Sequence, residues 1–158
     1  MSYSIRPYQS ADLEAIKAIT LAGFVGVSLD HALEENLGGE LAGHDWCWRK
    51  SRHIDDDVAA NAEGIFVAEA EGEVLGYIST ALDKEAGKGR IPNLAVAVIA
   101  RGQGIGRALI AHALEYFRRE NLAYAVIETM ESNPIGQTLY PASGFQEIAR
   151  QVHYAQRL

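Results

Sequence analysis

The sequence predicts a single α/β domain built around one mixed sheet, and three stretches carry that prediction. Residues 94–99, Leu-Ala-Val-Ala-Val-Ile, are an unbroken apolar run, as expected of a strand buried on both faces. A tight glycine loop, Arg101-Gly102-Gln103-Gly104-Ile105-Gly106, follows at once. It opens the best helix of the chain, where Ile105, Leu109, Ala113 and Phe117, with Ile110 and Leu114 beside them, form one broad stripe. Upstream, residues 65–70 and 74–82 are β-rich and flank Glu71-Gly72-Glu73, which reads as a hairpin turn.

The other elements follow in order. Residues 4–8 suit a short strand. Ser10 is placed to cap a helix, with Asp12 and Glu14 in its first turn and Leu13, Ile16 and Ile19 at helical spacing. Ser28 can cap a second helix that ends before Gly38 and Gly39, and residues 46–60 suit a third. Residues 83–89 read as a polar loop, 124–130 as a strand, 133–140 as a short helix, and 145–148 and 152–156 as closing strands. Strand, helices, hairpin, strand, helix, strand, helix, strands is an α/β order. A length of 158 residues, with no repeat and no linker, assigns 1–158 to one domain.

Composition excludes several function classes. A net charge of -7 argues against nucleic-acid binding, which needs clustered Lys and Arg, and suits a protonated amine as partner. Cys47 is the single cysteine, so no intrachain disulfide can form, in keeping with a reducing compartment. His44, Cys47 and His53 fit no standard zinc spacing, so no metal is expected. Cys47, between two tryptophans and without a partner motif, reads as a buried or interfacial thiol rather than a nucleophile. No apolar stretch reaches ~18 residues and no signal peptide is evident, so the expectation is a soluble, cytoplasmic protein without membrane contact. A homodimer is in keeping with how common symmetric dimers are.

A buried strand turning through glycines into a helix start is an anion site. The first helical N–H groups lack intrahelical partners and coincide with the positive end of the helix dipole. The bland alternative is a tight strand–helix turn without a ligand. A nucleotide P-loop would need Gly-Lys-Ser/Thr, whereas Gly106 is followed by Arg107-Ala108. A dinucleotide fold would need G-x-G-x-x-G near the chain start, whereas the spacing here is G-x-G-x-G past mid-chain.

The pattern Arg-x-x-Gly-x-Gly at 101–106 resembles the pyrophosphate motif of the GNAT (GCN5-related) acetyltransferase superfamily. The resemblance extends through Leu94-Ala95-Val96 and Leu109-Ile110, and recurs in Asn133-Pro134-Ile135-Gly136-Gln137-Thr138-Leu139-Tyr140, closed by Gly144-Phe145. It implies a GNAT-like fold, a mostly antiparallel mixed sheet flanked by helices and split between the fourth and fifth strands. It also implies acetyl-CoA as co-substrate. Backbone groups of Leu94, Ala95, Val96 and Val98 would pair with the pantetheine arm. Arg101, Gly102, Gln103, Gly104, Ile105, Gly106 and Arg107 would receive the pyrophosphate, and a backbone N–H near Val96 would polarise the thioester carbonyl.

The reaction so implied is N-acetylation of a primary amine, of a small molecule or a peptide, by direct attack in a ternary complex. A protonated amine needs a base and a departing thiolate needs an acid. Tyr140 stands where many family members place a tyrosine against the sulfur. Glu128, five positions before Asn133, matches the spacing of the base in acetyltransferases of ribosomal-protein N-termini, with Glu131 as runner-up. Asn133 can cap its helix and contact the cofactor arm. Phe24, Val25, Leu29 and His31, with Glu34 and Glu35, are expected on the acceptor side. The competing reading is a non-catalytic acyl-CoA-binding or sensing module on the same fold, which needs the glycine loop but neither acid nor base.

Overall fold

A computed structural model describes residues 2–158. The chain runs β1 (Ser4–Pro7), α1 (Leu13–Gly23), α2 (Leu29–Leu37), α3 (Trp46–Asn61), β2 (Phe66–Ala70), β3 (Glu73–Ile78), β4 (Ala81–Asp83), β5 (Lys88–Ile91), β6 (Leu94–Val96), α4 (Ile105–Arg119), β7 (Tyr124–Ile127) and α5 (Pro134–Ala142). The β2–β3 hairpin turns on Glu71 and Gly72, both at positive φ as a tight hairpin of the right twist requires. With β1 and β6 the hairpin makes an antiparallel sheet of order β1-β2-β3-β6. A second ladder, β4-β5-β7, is antiparallel between β4 and β5 and parallel between β5 and β7.

The two ladders are one sheet interrupted. β3 and β4 continue each other across Ser79 and Thr80, and β5 and β6 across Pro92 and Asn93. Pro92 has no N–H to give, so the ladder from β5 to β7 stops after Ile91 pairs with Ile127. Beyond that point β6 stays with β3 and β7 leaves it. The split expected between the fourth and fifth strands is this parting, the fourth strand being β5 plus β6.

Period-two alternation divides the core. Phe66, Ala68 and Ala70 with Ile78 pack under Ile105, Leu109, Ala113 and Phe117 of α4. Val67 and Tyr77 face the other way, against Ile16 of α1 and Ile54 of α3. Fully burying such an aliphatic or aromatic side chain contributes about 1.5–3 kcal/mol. α4 approaches so closely that a Cβ on Gly89 would lie 2.6 Å from the Phe117 ring. Gly89→Ala is therefore expected to cost about 1–3 kcal/mol by overpacking. Thermal unfolding should register it as roughly 2–4 °C per kcal/mol.

Local capping follows the sequence where side chains point at backbone. Ser28 Oγ accepts the His31 N–H at 3.1 Å, and Gly38 closes α2 in the left-handed region at φ 82°. Asp45 caps α3 through the Trp48 N–H at 2.8 Å.

Five local expectations are corrected. Ser10 is not a helix cap. It begins a 3-10 turn, and Asp12 is buried, accepting from the Gln9 N–H at 2.8 Å and from both terminal nitrogens of Arg6 at 2.8 and 2.9 Å. Arg6 holds that carboxyl below the usual range. The end of the predicted polar loop is strand β5, because Gly89 lets it lie flat beneath Phe117. The apolar run does not stay a strand to residue 99. It turns after Val96, leaving Val98 60% and Ile99 84% exposed. β7 ends at Ile127, where its parallel partner runs out. The closing strands at 145–148 and 152–156 are not formed: Ile148, Val152 and Tyr154 are exposed, and this tail is tied by Arg150 to Glu131 and Glu147 and by Arg157 to the Leu37 and Glu40 carbonyls. β-propensity without a ladder partner does not make a strand.

Candidate active site

The register of β3 and β6 decides what faces the split. Ser79 N–H donates to Asn93 C=O at 2.9 Å and Ala97 N–H to Leu75 C=O at 2.8 Å. Hydrogen-bonded pairs alternate along an antiparallel ladder, so Tyr77 and Ala95 also bond each other. Leu94 and Val96, in the intervening pairs, aim their N–H and C=O away from β3 into the gap toward β7. The Val96 carbonyl accepts from Arg101 Nε at 3.3 Å, and its N–H stays free in the gap. The apolar sequence thus yields a strand edge inside the molecule.

The edge runs into the glycine loop. Gly102 and Gly104 sit at φ 77° and 79°, and a Cβ built on either meets nothing within 4 Å. Their role is backbone conformation beside open space. Gly106 differs: a Cβ there would lie 3.3 Å from Leu139 of α5. The first bonded amide of the helix is Ala108, to Gly104 C=O at 3.0 Å, so the N–H groups of Ile105, Gly106 and Arg107 lie at the open, positive end of α4. Gln103 is in the same exposed turn. Arg107 itself is turned to α5, donating to Ala142 C=O at 3.0 Å.

α5 is held beside this loop. Asn133 caps it, accepting the Ile135 N–H at 3.2 Å and donating to Thr129 Oγ1 at 3.0 Å. Pro134 occupies the first helical position, where a missing N–H costs nothing. Tyr140, one turn from Gly136, packs on the Phe145 ring at 6.3 Å. Burial first, and then the charge of Glu128, push its phenol up to about 12. Glu128 follows the end of β7. It is exposed and ion-paired to Arg90 of β5, with Arg90 Nε at 2.9 Å. Glu131 is exposed and paired to Arg150.

A polar network fills the bend at Pro92 and Asn93, and sequence reasoning missed it. Lys50 Nζ donates to Asn93 Oδ1 at 2.8 Å; Asn93 Nδ2 and Ser79 Oγ each donate to Asp57 Oδ2 at 2.7 Å. Lys50, Asp57, Ser79 and Asn93 are all buried. Lys50 also lies 4.1 Å from the Phe24 ring centre, and burial pulls its ammonium down. Burial pushes the Asp57 carboxyl up, against the opposing effect of its two donors. A recess of about 220 Å³ opens on this network, lined by His53, Asp56, Asp57, Arg90, Pro92 and Asn93. The available signal was spacing: Lys50, Ile54 and Asp57 mark one face of α3, and these are its buried residues.

The residues expected on the acceptor side are divided. Phe24 joins the Lys50 network. His31, Glu34 and Glu35 line a different recess with Gly39 and Trp46, and Val25 and Leu29 are exposed. Burial raises the Cys47 thiol, which suits an unreactive side chain. No helix among the described residues is long and apolar enough to cross a membrane.

The matching family model is that of the GNAT acetyltransferases, over residues 27–145. An uncharacterized N-acetyltransferase of Methanocaldococcus jannaschii is 40% identical over 84 residues, 52% of each chain. The ribosomal-protein-alanine N-acetyltransferase of Brucella melitensis superposes with a TM-score of 0.65 at 26% identity, over 92% of this chain and 86% of that one. The PaiA N-acetyltransferase of Thermoplasma acidophilum, solved with coenzyme A, superposes with a TM-score of 0.72 at 17% identity, over 92% and 91%. The chain spans about half the length of the curated relatives it matches first. With a split sheet, a free strand edge and a glycine-led helix in place, and with three quarters of the chain inside the family match, this protein belongs to the GNAT family of acetyltransferases.

Proposed function

We propose that the protein is an acetyl-CoA-dependent N-acetyltransferase that modifies a primary amine of a small molecule or peptide by direct attack in a ternary complex. The observation that carries this reading is the continuous polar track from the inner edge of β6 to the start of α4. Leu94 and Val96 offer an extended ligand arm a strand to pair with, and the turn from Gly102 to Arg107 offers an anion the open end of a helix. A phosphorylated thioester with an amide-rich arm, such as acetyl-CoA, matches both halves and supplies the acetyl group. The coenzyme A complex of the Thermoplasma neighbour supports the same choice.

The chain's own groups then divide the work. The free Val96 N–H points where a thioester oxygen gains charge, and a donor fixed in advance stabilises that charge without reorganisation. Tyr140, protonated throughout the physiological range because its phenol is raised to about 12, gives a proton to the departing sulfur. Asn133 holds the start of α5, and so the position of Tyr140, against Thr129. Glu128 is the proton acceptor suggested by the family resemblance. Its exposure and its pairing with Arg90 make it a poorer base than a buried carboxylate facing the same bend.

The test is thiol release from acetyl-CoA in the presence of trialanine, glutamate, putrescine or glucosamine. The expected result is release that depends on one class of amine. Tight acetyl-CoA binding by calorimetry with no release for any amine would instead favour the acyl-CoA-binding module. No binding at all would remove both readings.

A further inference from the structure

The recess at the sheet bend contains a carboxylate that the reading above does not use. Asp57 is 8% exposed. Its Oδ2 is saturated by Ser79 Oγ and Asn93 Nδ2, whereas Oδ1 takes no protein donor and opens on the recess. A carboxylate with one oxygen fixed and the other facing a hollow is pre-oriented to take a proton there. The hollow, about 220 Å³, is polar-lined and has room for several waters. It adjoins Asn93, which lies three residues before Val96 on the strand bordering the split, about 10 Å away at ~3.3 Å per residue.

We propose that Asp57 is the base of the acetyl transfer, drawing the proton from the acceptor ammonium through water in this recess. The inference rests on the acetyltransferase reading. The ammonium loses one proton along the water chain to Asp57 Oδ1, and the freed amine forms the C–N bond as the C–S bond breaks. Tyr140 protonates the sulfur and is reprotonated by the second proton leaving nitrogen. Asp57 returns its proton to solvent past His53, half-exposed at the recess wall with Nε2 3.3 Å from Asp30. One proton is released per acetyl group transferred.

The charged groups around Asp57 are, on α3, Lys50, bonded to Asn93, with His53 and Asp56; α2 brings Asp30 and β5 brings Arg90, already paired to Glu128. The Tyr77 phenol of β3 is fully buried and hydrogen-bonded to Thr20, and burial keeps it neutral. Lys17 of α1 is paired with Asp55. Glu128, by contrast, meets solvent directly.

The experiment is the pH dependence of kcat/KM with the fastest amine among trialanine, glutamate, putrescine and glucosamine, alongside acetyl-CoA affinity. In wild type, activity should fall as pH drops through the raised Asp57 pKa. Asp57→Asn, which keeps an acceptor for Ser79 and Asn93, should lose that acidic bend. It should also lower kcat/KM about 100-fold or more, with acetyl-CoA affinity unchanged. Glu128→Gln should keep the bend. Ser79→Ala removes one donor to the anion, so it should move the bend upward by roughly one pH unit, a shift that no exposed carboxylate would share. If Asp57→Asn does not fold, the Ser79→Ala shift decides. A bend that survives Asp57→Asn, disappears in Glu128→Gln or stays fixed in Ser79→Ala overturns the proposal while the acetyltransferase reading stands. A wild type that releases no thiol with any amine overturns both.

Discussion

Tyr140→Phe is expected to lower kcat by about 100-fold or more while acetyl-CoA affinity changes less than about threefold. The substitution keeps the ring, and with it the contact to Phe145 just beyond the end of α5. Only the hydroxyl is lost. Because burial pushes the phenol up to about 12, it keeps its proton across the physiological range, and removing it should scale the pH profile down without moving its acidic limb. Steady-state kinetics with calorimetric titration of acetyl-CoA separates the two effects. A kcat unchanged within about threefold would mean that the sulfur leaves without help from Tyr140.

The second large effect concerns the loop. Gly104→Asp should weaken acetyl-CoA binding by about 100-fold, equivalent to about 2.7 kcal/mol, and leave thermal stability nearly unchanged. Gly104 immediately precedes α4 at φ 79°, with open space around its missing side chain. Aspartate is among the few residues that tolerate that region. Its carboxylate would sit at the positive helix end and so favour the unliganded protein, while occupying and repelling the site of a pyrophosphate. Retained affinity would show that the phosphates do not lie on the α4 start.

These expectations trace back to what was legible in the residues. The stripe through Ile105, Leu109, Ala113 and Phe117 and the glycines before it fixed the helix and its open end, because one period and two positive-φ positions leave little choice. The hairpin at Glu71 and Gly72 was legible for the same reason. The bend at Pro92 and Asn93 was not. Lys50 and Asp57 lie 43 and 36 positions from Asn93, and polar residues on a charged helix read as surface until a partner strand covers them. The apolar Val98 and Ile99 failed in the opposite direction, since apolar character says nothing about a chain that turns outward after Val96. The tail around Val152 and Tyr154 has strand-like residues, but a strand is a property of two segments and the second is not supplied by β7.

Two-dimensional amide spectra recorded while coenzyme A is titrated test most directly the proposal that one backbone track, from the β6 edge to the α4 start, receives it. The amides of Leu94 and Val96 and those from Gly102 to Arg107 should move together with a single affinity. Spectra in which these amides stay still while others shift would contradict it.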